Sequence, residues 1–431
     1  MARLTWETKK GRAALTSCGV LVVLALIAGG YYWWGGPHER RVAQQVLDEA
    51  CRGVLPSAEL RAVLGDGPFE SGPGKANLRD AGRADEGDRG EIRQVSCAVR
   101  RDTEHHAGHP THDASVDVTV QSVPERKGND LGGDRAAERP RGYGPLYPFV
   151  SDELPPAALG RGWRGVFTTG EGFDHLVDDD AATTSVLLDC ARDRGGLLVT
   201  VDVKEEDVTL DDPRRRTAYA RIATATAAEA SRQWGCDDAP LGKPLRTVAL
   251  PVNADEDVPL ADATGSCRGL PARGSRVSRV WEGARSGGPV EVCVLGGGPT
   301  GTPTADAAVS AGSPEGARRH HLVAYYGPYA RNQRLDHQEH NYSEEPGPGD
   351  APAGRLAGGG HWASAACRDG GGPALFTVRP SDATDGDEYD AHGKRREAKE
   401  SAADLAYERA ALREFARRSA KEHGCAAPKL P

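Results

Sequence analysis

The chain lacks the short motifs that mark the commonest enzymes and redox proteins. It contains no Cys-x-x-Cys, no Gly-x-Ser-x-Gly, no Ser-x-x-Lys and no Walker A pattern. Aromatic residues are scarce, at 6%, whereas glycines number 54. This composition is typical of a loop-rich globular protein and argues against a coiled coil. The common redox, zinc and nucleotide sites are therefore not expected, although dispersed catalytic residues would escape such a search.

Positive charge is in deficit, with a formal net charge of -9. Most of the basic residues before position 13 are Lys9, Lys10 and Arg12, so the rest of the chain is still more acidic. A domain of this sign repels nucleic acid and anionic lipid heads. We therefore expect no nucleic-acid partner.

One long apolar run lies near the N-terminus. Residues 13–34 form 22 uncharged positions, which as a helix would span roughly 33 Å, enough for the hydrocarbon layer. The basic residues precede this run, so the positive-inside rule predicts a cytoplasmic tail at 1–12. We expect a single-pass protein in the plasma membrane, with the lipid bilayer as one partner and everything after the span extracellular.

A cleaved signal peptide is the alternative interpretation of the same segment. Ala28-Gly29-Gly30 could serve as a small-residue cleavage site. Tyr31-Tyr32-Trp33-Trp34 instead suits an interfacial aromatic belt at the end of a membrane anchor. The aromatic residues favour the anchor.

Eight cysteines follow the span, an even number that indicates disulfides in an oxidising compartment. Their sequence contexts repeat in order. Cys51-Arg52-Gly53 recurs as Cys267-Arg268-Gly269, and Trp234-Gly235-Cys236 recurs as His423-Gly424-Cys425. We predict that each half of the chain pairs its first cysteine with its second and its third with its fourth: Cys51 with Cys97, Cys190 with Cys236, Cys267 with Cys293, and Cys367 with Cys425.

The repeat predicts a tandem duplication, with domains at 38–250 and 251–431. Alternating patterns such as Val116-Val118-Val120, with Asp117 and Thr119 facing outward, indicate strands in each half. Long helical patterns at 213–234 and 394–423 precede the last cysteine of each half. The fold class is therefore α+β, with small antiparallel sheets that each carry one long helix on one face. Segments 124–160, 296–318 and 328–360 are predicted to be loops.

The densest group of potential metal ligands is histidine-rich: His105, His106, His109 and His112. Imidazoles at this spacing could share zinc or copper. A solvated loop is the favoured interpretation, because Pro110 interrupts any helix and the second half has no counterpart. The segment Asp336-His337-Gln338-Glu339-His340 is one residue short of the zincin spacing, and we predict no metal site there.

The Cys51–Pro56 start, Gln233-Trp234-Gly235-Cys236 and the following Leu241-Gly242-Lys243-Pro244-Leu245 resemble uncharacterised membrane-anchored proteins of high-GC actinobacteria. The resemblance covers most of the extracytoplasmic part. It implies a location in the cell envelope but no activity.

The sequence thus predicts a non-catalytic binding protein of the cell envelope, with an envelope protein or a small ligand as its partner and no cofactor. A cell-envelope hydrolase with dispersed catalytic carboxylates is the alternative.

Overall fold

A computed structural model of the chain describes the following residues: 41–42, 44–47, 50–65, 69–72, 94–101, 114–123, 155–169, 181–190, 196–205, 208, 210–236, 239–252, 256–284, 288–297, 318–340, 347–348, 351–356, 359–367, 372–380 and 401–431. The predicted tail and membrane helix at 1–12 and 13–34 lie outside these ranges. Among the helices that are described, none has the length and apolar character needed to cross a bilayer.

Two antiparallel sheets and a small number of helices confirm the α+β class. The first sheet has the order β1-β2-β3-β7-β6-β5-β4. Its strands are β1 (Phe69–Gly72), β2 (Gln94–Arg101), β3 (Ala114–Val123), β4 (Ala157–Ala158), β5 (Gly165–Thr169), β6 (Ala181–Asp189) and β7 (Gly196–Glu205).

The second sheet has the order β8-β9-β10-β11-β14-β13-β12. Its strands are β8 (Val258–Pro259), β9 (Arg279–Glu282), β10 (Val290–Gly296), β11 (Arg318–Tyr326), β12 (Ala353–Arg355), β13 (His361–Ala366) and β14 (Pro373–Pro380). We label four α-helices, α1 (Ser57–Leu64), α2 (Pro213–Gln233), α3 (Pro328–His340) and α4 (Ala402–Glu422), and two 3-10 turns lie at Ala50–Gly53 and Leu260–Asp262.

The four predicted cysteine pairs are the pairs that the fold brings to bonding distance. Cys97 on β2 corresponds to Cys293 on β10. When the two sheets are aligned on these strands, their strands follow in the same order. The series β1-β2-β3-β7-β6-β5 matches β9-β10-β11-β14-β13-β12, with β4 and β8 added at opposite ends. This correspondence supports the internal duplication, while the boundaries at 38–250 and 251–431 stay a prediction.

Local sequence explains where the two long helices begin and end. Asp212 caps α2 by accepting a hydrogen bond from the Arg214 backbone, and Pro213 occupies the first helical position. Ser401 and Asp404 form a reciprocal capping box at the start of α4. Gly235 and Gly424 follow the two helices with φ of 70° and 66°, a left-handed conformation that glycine adopts without strain. Each glycine thereby turns the chain so that the next residue, a cysteine, returns to its sheet.

Three apolar layers hold these elements together. Helix α2 packs on the face of the first sheet that carries valines of β3 and β7, and α4 packs on one face of the second sheet. The third layer lies between the sheets, where Leu187 and Leu198 join Trp281, Trp362 and Leu375. The order of layers is therefore helix, sheet, sheet, helix.

Several elements differ from the sequence-based expectations. The segment 328–360, predicted as a loop, contains α3 and β12, and the helix predicted at 394–423 begins at Ala402. Helix α3 has few apolar residues, but Tyr329 and Ala330 bury themselves in the layer between the sheets. Tertiary packing thus stabilises a helix whose own pattern is weak.

Candidate functional site

One face of the first sheet is built mainly from polar side chains in two cross-strand rows. The first row runs Ala98, Asp117, Asp202, Thr183, Thr168, and the second runs Ser96, Thr119, Thr200, Ser185, Val166. On the opposite face, Val116, Val118 and Val120 of β3 pair with three valines of β7, and all six are buried in the core. We call the two rows the polar face.

The polar face is turned towards the second sheet and is not fully exposed. A third row on this side contains Gln121, Leu198 and Leu187, and the two leucines belong to the layer between the sheets. Thr183, Ser185 and Thr200 are buried, whereas Asp117 and Asp202 are half-buried. Asp117 and Thr119 face away from the valines, as the alternation predicts, but the second sheet lies over this side of the first and neither residue is fully exposed.

Two carboxylates meet at the partly open end of the polar face. Asp117 and Asp202 are direct cross-strand partners, which places their Cβ atoms about 5 Å apart. Burial raises the pKa of Asp202 to about 6, a hydrogen bond from Thr183 opposes this shift, and the charge of Asp117 adds to it. Burial also raises the pKa of Asp117, while the charge of Arg100 lowers it.

Hydrogen bonds organise the polar face without neutralising its charge. The Thr183 hydroxyl donates to Asp202 Oδ1, and the Ser96 and Thr119 hydroxyls lie 3.2 Å apart. Arg100 and Lys204 lie in the next cross-strand row on the same side. The face thus offers two carboxylates, several hydroxyls and two flanking cations to a bound polar molecule.

Replacing Asp202 by asparagine should stabilise the protein at neutral and alkaline pH. The folded pKa of about 6 exceeds the ordinary 3.8, so ionised Asp202 costs folding energy, and this cost grows as pH rises from about 4 to about 6. Two pKa units correspond to roughly 3 kcal/mol, an upper limit because the charge-assisted bond from Thr183 is lost. We expect Asp202→Asn to raise the free energy of unfolding by about 1–2 kcal/mol at pH 8.

Urea unfolding at pH 8 and pH 4 measures this effect. Most of the gain should vanish at pH 4, where the wild-type carboxyl is largely protonated. Exposed Asp262 supplies the matched control, Asp262→Asn, which should change stability by less than about 0.5 kcal/mol. A loss of stability at pH 8 in Asp202→Asn would show that its ionised form is already well paired.

A second polar group lies under the C-terminal end of α4. Glu291 accepts hydrogen bonds from the Ser419 hydroxyl and, at 3.0 Å, from His423 Nε2. Burial alone would raise the pKa of Glu291, but these two bonds and the charge of Arg418 hold its pKa below the ordinary value. The carboxylate stands between the serine and the histidine, so His423 cannot act as a general base on Ser419 as a hydrolase triad requires.

The histidines considered as metal ligands from the sequence lie in different parts of the chain. The histidines at 105, 106, 109 and 112 lie outside the described residues. His337 lies on α3, where Arg379 donates to its Nε2 at 2.7 Å. Across the ranges that the structure describes, no three His, Cys, Asp or Glu side chains form a group that could hold a metal ion.

Gly297, which follows β10, occupies a position that only glycine fits. A Cβ at Gly297 would come within 2.6 Å of the Ser275 carbonyl oxygen and within 2.9 Å of that of Arg276. Only glycine permits this approach of two backbones.

The comparisons with known proteins place the chain in no family. No family model, no curated protein and no solved structure matches it.

Proposed function

We propose that the chain is a membrane-anchored protein of the cell envelope whose extracytoplasmic part binds a ligand without turning it over. The anchor is the apolar segment 13–34, and the plasma membrane holds the protein with its N-terminus in the cytoplasm. Four disulfide pairs support the oxidising extracytoplasmic location. The tandem domains 38–250 and 251–431 form the binding part.

The Asp117–Asp202 pair is the observation that carries this proposal. A half-buried carboxylate with a pKa near 6 lowers stability at neutral pH, as does the neighbouring like charge. Natural proteins keep such costly groups chiefly where function needs them. A cationic group of a ligand placed between the two carboxylates would recover the lost free energy.

The ligand is therefore a polar molecule or protein segment that presents a cation. The hydroxyls of Ser96 and Thr119 would complete its hydrogen bonding beside the charge. Arg100 and Lys204 limit the positive charge that the face accepts, which favours a single cationic group over a polycation.

The alternative is a cell-envelope hydrolase, and the same pair supports it. Two neighbouring carboxyl groups, both with a pKa raised by burial, can act as general acid and nucleophile in glycoside hydrolysis. The pair lies on a sheet face beneath a second sheet, so a polymer would have to enter from the partly open end. Binding requires less room and is the leading proposal.

Affinity capture from solubilised membranes separates the two functions. Full-length protein with a C-terminal tag should retain its partner, and the Asp117→Asn/Asp202→Asn variant should retain at least tenfold less. Asp262→Asn, with an exposed carboxylate removed, should behave as wild type. Equal capture by the double variant would exclude the polar face as the binding surface. If instead wild type captures nothing but cleaves cell-wall fragments, and the double variant does not, the protein is the hydrolase.

A further inference from the structure

Three titratable side chains meet in the interior of the second half, apart from the polar face. Glu408 of α4 is 1% exposed, and His361 of β13 and His320 of β11 are 4% and 7% exposed. His361 Nδ1 lies 3.2 Å from Glu408 Oε2, and His320 Nδ1 lies 3.7 Å from Glu408 Oε1. We call these three residues the acid–histidine cluster.

The first half shows that the fold does not need this cluster. Glu408 lies 17 residues before Cys425, and the residue 17 before Cys236 is Tyr219. His361 and its counterpart Thr184 each lie six residues before the third cysteine of their half.

His320 has an equally clear counterpart. It lies two residues before Leu322, the strand partner of Cys293. Val116 lies two residues before Val118, the strand partner of Cys97. Valine, threonine and tyrosine therefore fill in the first half the places that two histidines and a glutamate fill in the second.

The hydrogen bonds assign different roles to the two histidines. Arg409 Nε donates to His361 Nε2 at 3.3 Å, so the hydrogen of neutral His361 is on Nδ1 and points to Glu408. Both ring nitrogens of His361 therefore have a hydrogen-bond partner. His320 Nδ1 and Glu408 Oε1 are buried, and neither makes a hydrogen bond to another described residue. His320 is thus the member of the cluster that is free to take up a proton.

The surroundings of His320 mix both charges. The groups that face it are Glu408, Asp404 and Tyr407 of α4, Arg273 from the segment before β9, and His321 of its own strand. Burial, the largest influence, lowers the pKa of His320 below the ordinary 6.5, the charge of Glu408 opposes this shift, and Arg273 adds to it.

The cluster lies where the N-terminal part of α4 is attached to the rest of the molecule. Tyr407 donates to the Pro271 carbonyl oxygen at 2.9 Å, and Asp404 pairs with Arg273. A charge that enters the cluster therefore acts on the attachment of this helix.

We propose that the second half senses acidification outside the cell: a proton taken up by His320 introduces a buried charge and loosens the N-terminal part of α4 from its sheet. The first half, with Val116, Thr184 and Tyr219 in these positions, does not respond in this way. The proposal rests on the proposed extracytoplasmic location but not on the ligand at the polar face.

The direction of the effect follows from linkage. The unfolded or locally opened chain takes up the proton with the ordinary pKa of 6.5, and the closed state takes it up only at lower pH. Acidification below pH 6.5 therefore favours opening, by up to tenfold in the opening equilibrium for each pH unit.

Hydrogen exchange of the full-length protein in detergent micelles tests this, with rates corrected for the intrinsic pH dependence of exchange. Between pH 7.5 and pH 5.5, opening of residues 402–415 should increase, while opening of the equivalent 213–226 in α2 should not. His320→Gln should abolish the increase, and His337→Gln, which removes a half-buried histidine outside the cluster, should keep it. Equal responses of the two helices, or an unchanged response in His320→Gln, would overturn the proposal.

A titration of the wild-type imidazoles covers the case in which His320→Gln does not fold. The His320 Cε1 resonance should titrate below pH 6.5. It is assigned as the signal that disappears in His320→Val, a variant that carries the residue found at this position in the first half. If neither variant folds, the wild-type comparison of residues 402–415 with residues 213–226 still decides the proposal. A titration midpoint at or above 6.5 contradicts the mechanism.

Discussion

Replacing both Cys367 and Cys425 by serine lowers the free energy of unfolding by about 4 kcal/mol. This disulfide closes a loop with a sequence separation of 58 residues, and the matching pair Cys190–Cys236 closes one of 46. In the chain-entropy model the cost of leaving such loops open in the unfolded state grows only with the logarithm of loop length. The two double-serine variants should therefore lose similar amounts.

The Cys267–Cys293 pair provides a graded comparison. Its sequence separation is 26, and the same model gives about 3.5 kcal/mol for its removal. Urea unfolding under non-reducing conditions measures all three variants, with serine chosen because it is close to cysteine in size. Peptide mapping without reduction checks the pairing itself. A peptide that joins Cys97 to Cys190 would contradict both the pairing and the ranking.

The disulfide framework could be predicted from sequence because each cysteine carries its own local context. The turn before Cys236 and the turn before Cys425 both place glycine one residue earlier, where φ is positive. The helix ahead of each turn has a clear apolar stripe that includes Ile222 and Ala223 in α2 and Ala411 and Leu412 in α4. Signals within about 20 residues of each cysteine thus fixed the end of each helix and its return to the sheet.

Short or packing-dependent elements could not be predicted. Strand β5 has five residues, Gly165–Thr169, and β4 has two, so neither contains enough alternation for a pattern to be recognised. Helix α3 is polar along most of its length. Of its described side chains, only Tyr329 and Ala330 are buried in the layer between the sheets. Its stability depends on a second sheet that no local pattern reveals.

The candidate sites were missed for the same reason. Asp117 and Asp202 alternate with valines, a pattern that correctly places them on the opposite face of their strands but cannot say that another sheet covers that face. His320, His361 and Glu408 are far apart in the chain and meet only through the strand order β11-β14-β13 and the helix above it. Aligning the two halves on their cysteines would have shown that these three titratable residues stand where the first half has valine, threonine and tyrosine.

The layer between the sheets determines whether the two halves behave as one molecule. Trp362 is among the largest fully buried side chains of the described residues, at 1% exposure. Its ring lies against Gly354 on the adjacent strand, where an added Cβ would come within 2.3 Å of it. Its indole nitrogen donates to the Ala351 carbonyl oxygen at 3.4 Å. Removing this ring leaves a cavity that the close packing of β12 and β13 cannot readily fill.

We therefore expect Trp362→Ala to lower the free energy of unfolding by about 3–5 kcal/mol, and Trp362→Phe by about half as much. Half-buried Trp163 packs against the core of the first half and is not part of the layer between the sheets, so Trp163→Ala serves as the control and should cost less. Because Trp362 contributes to the layer shared by both sheets, Trp362→Ala should also split the unfolding transition into two steps when fluorescence and circular dichroism are compared. A single transition with coincident probes and a loss below about 1 kcal/mol would mean that the halves do not depend on this layer for their coupling.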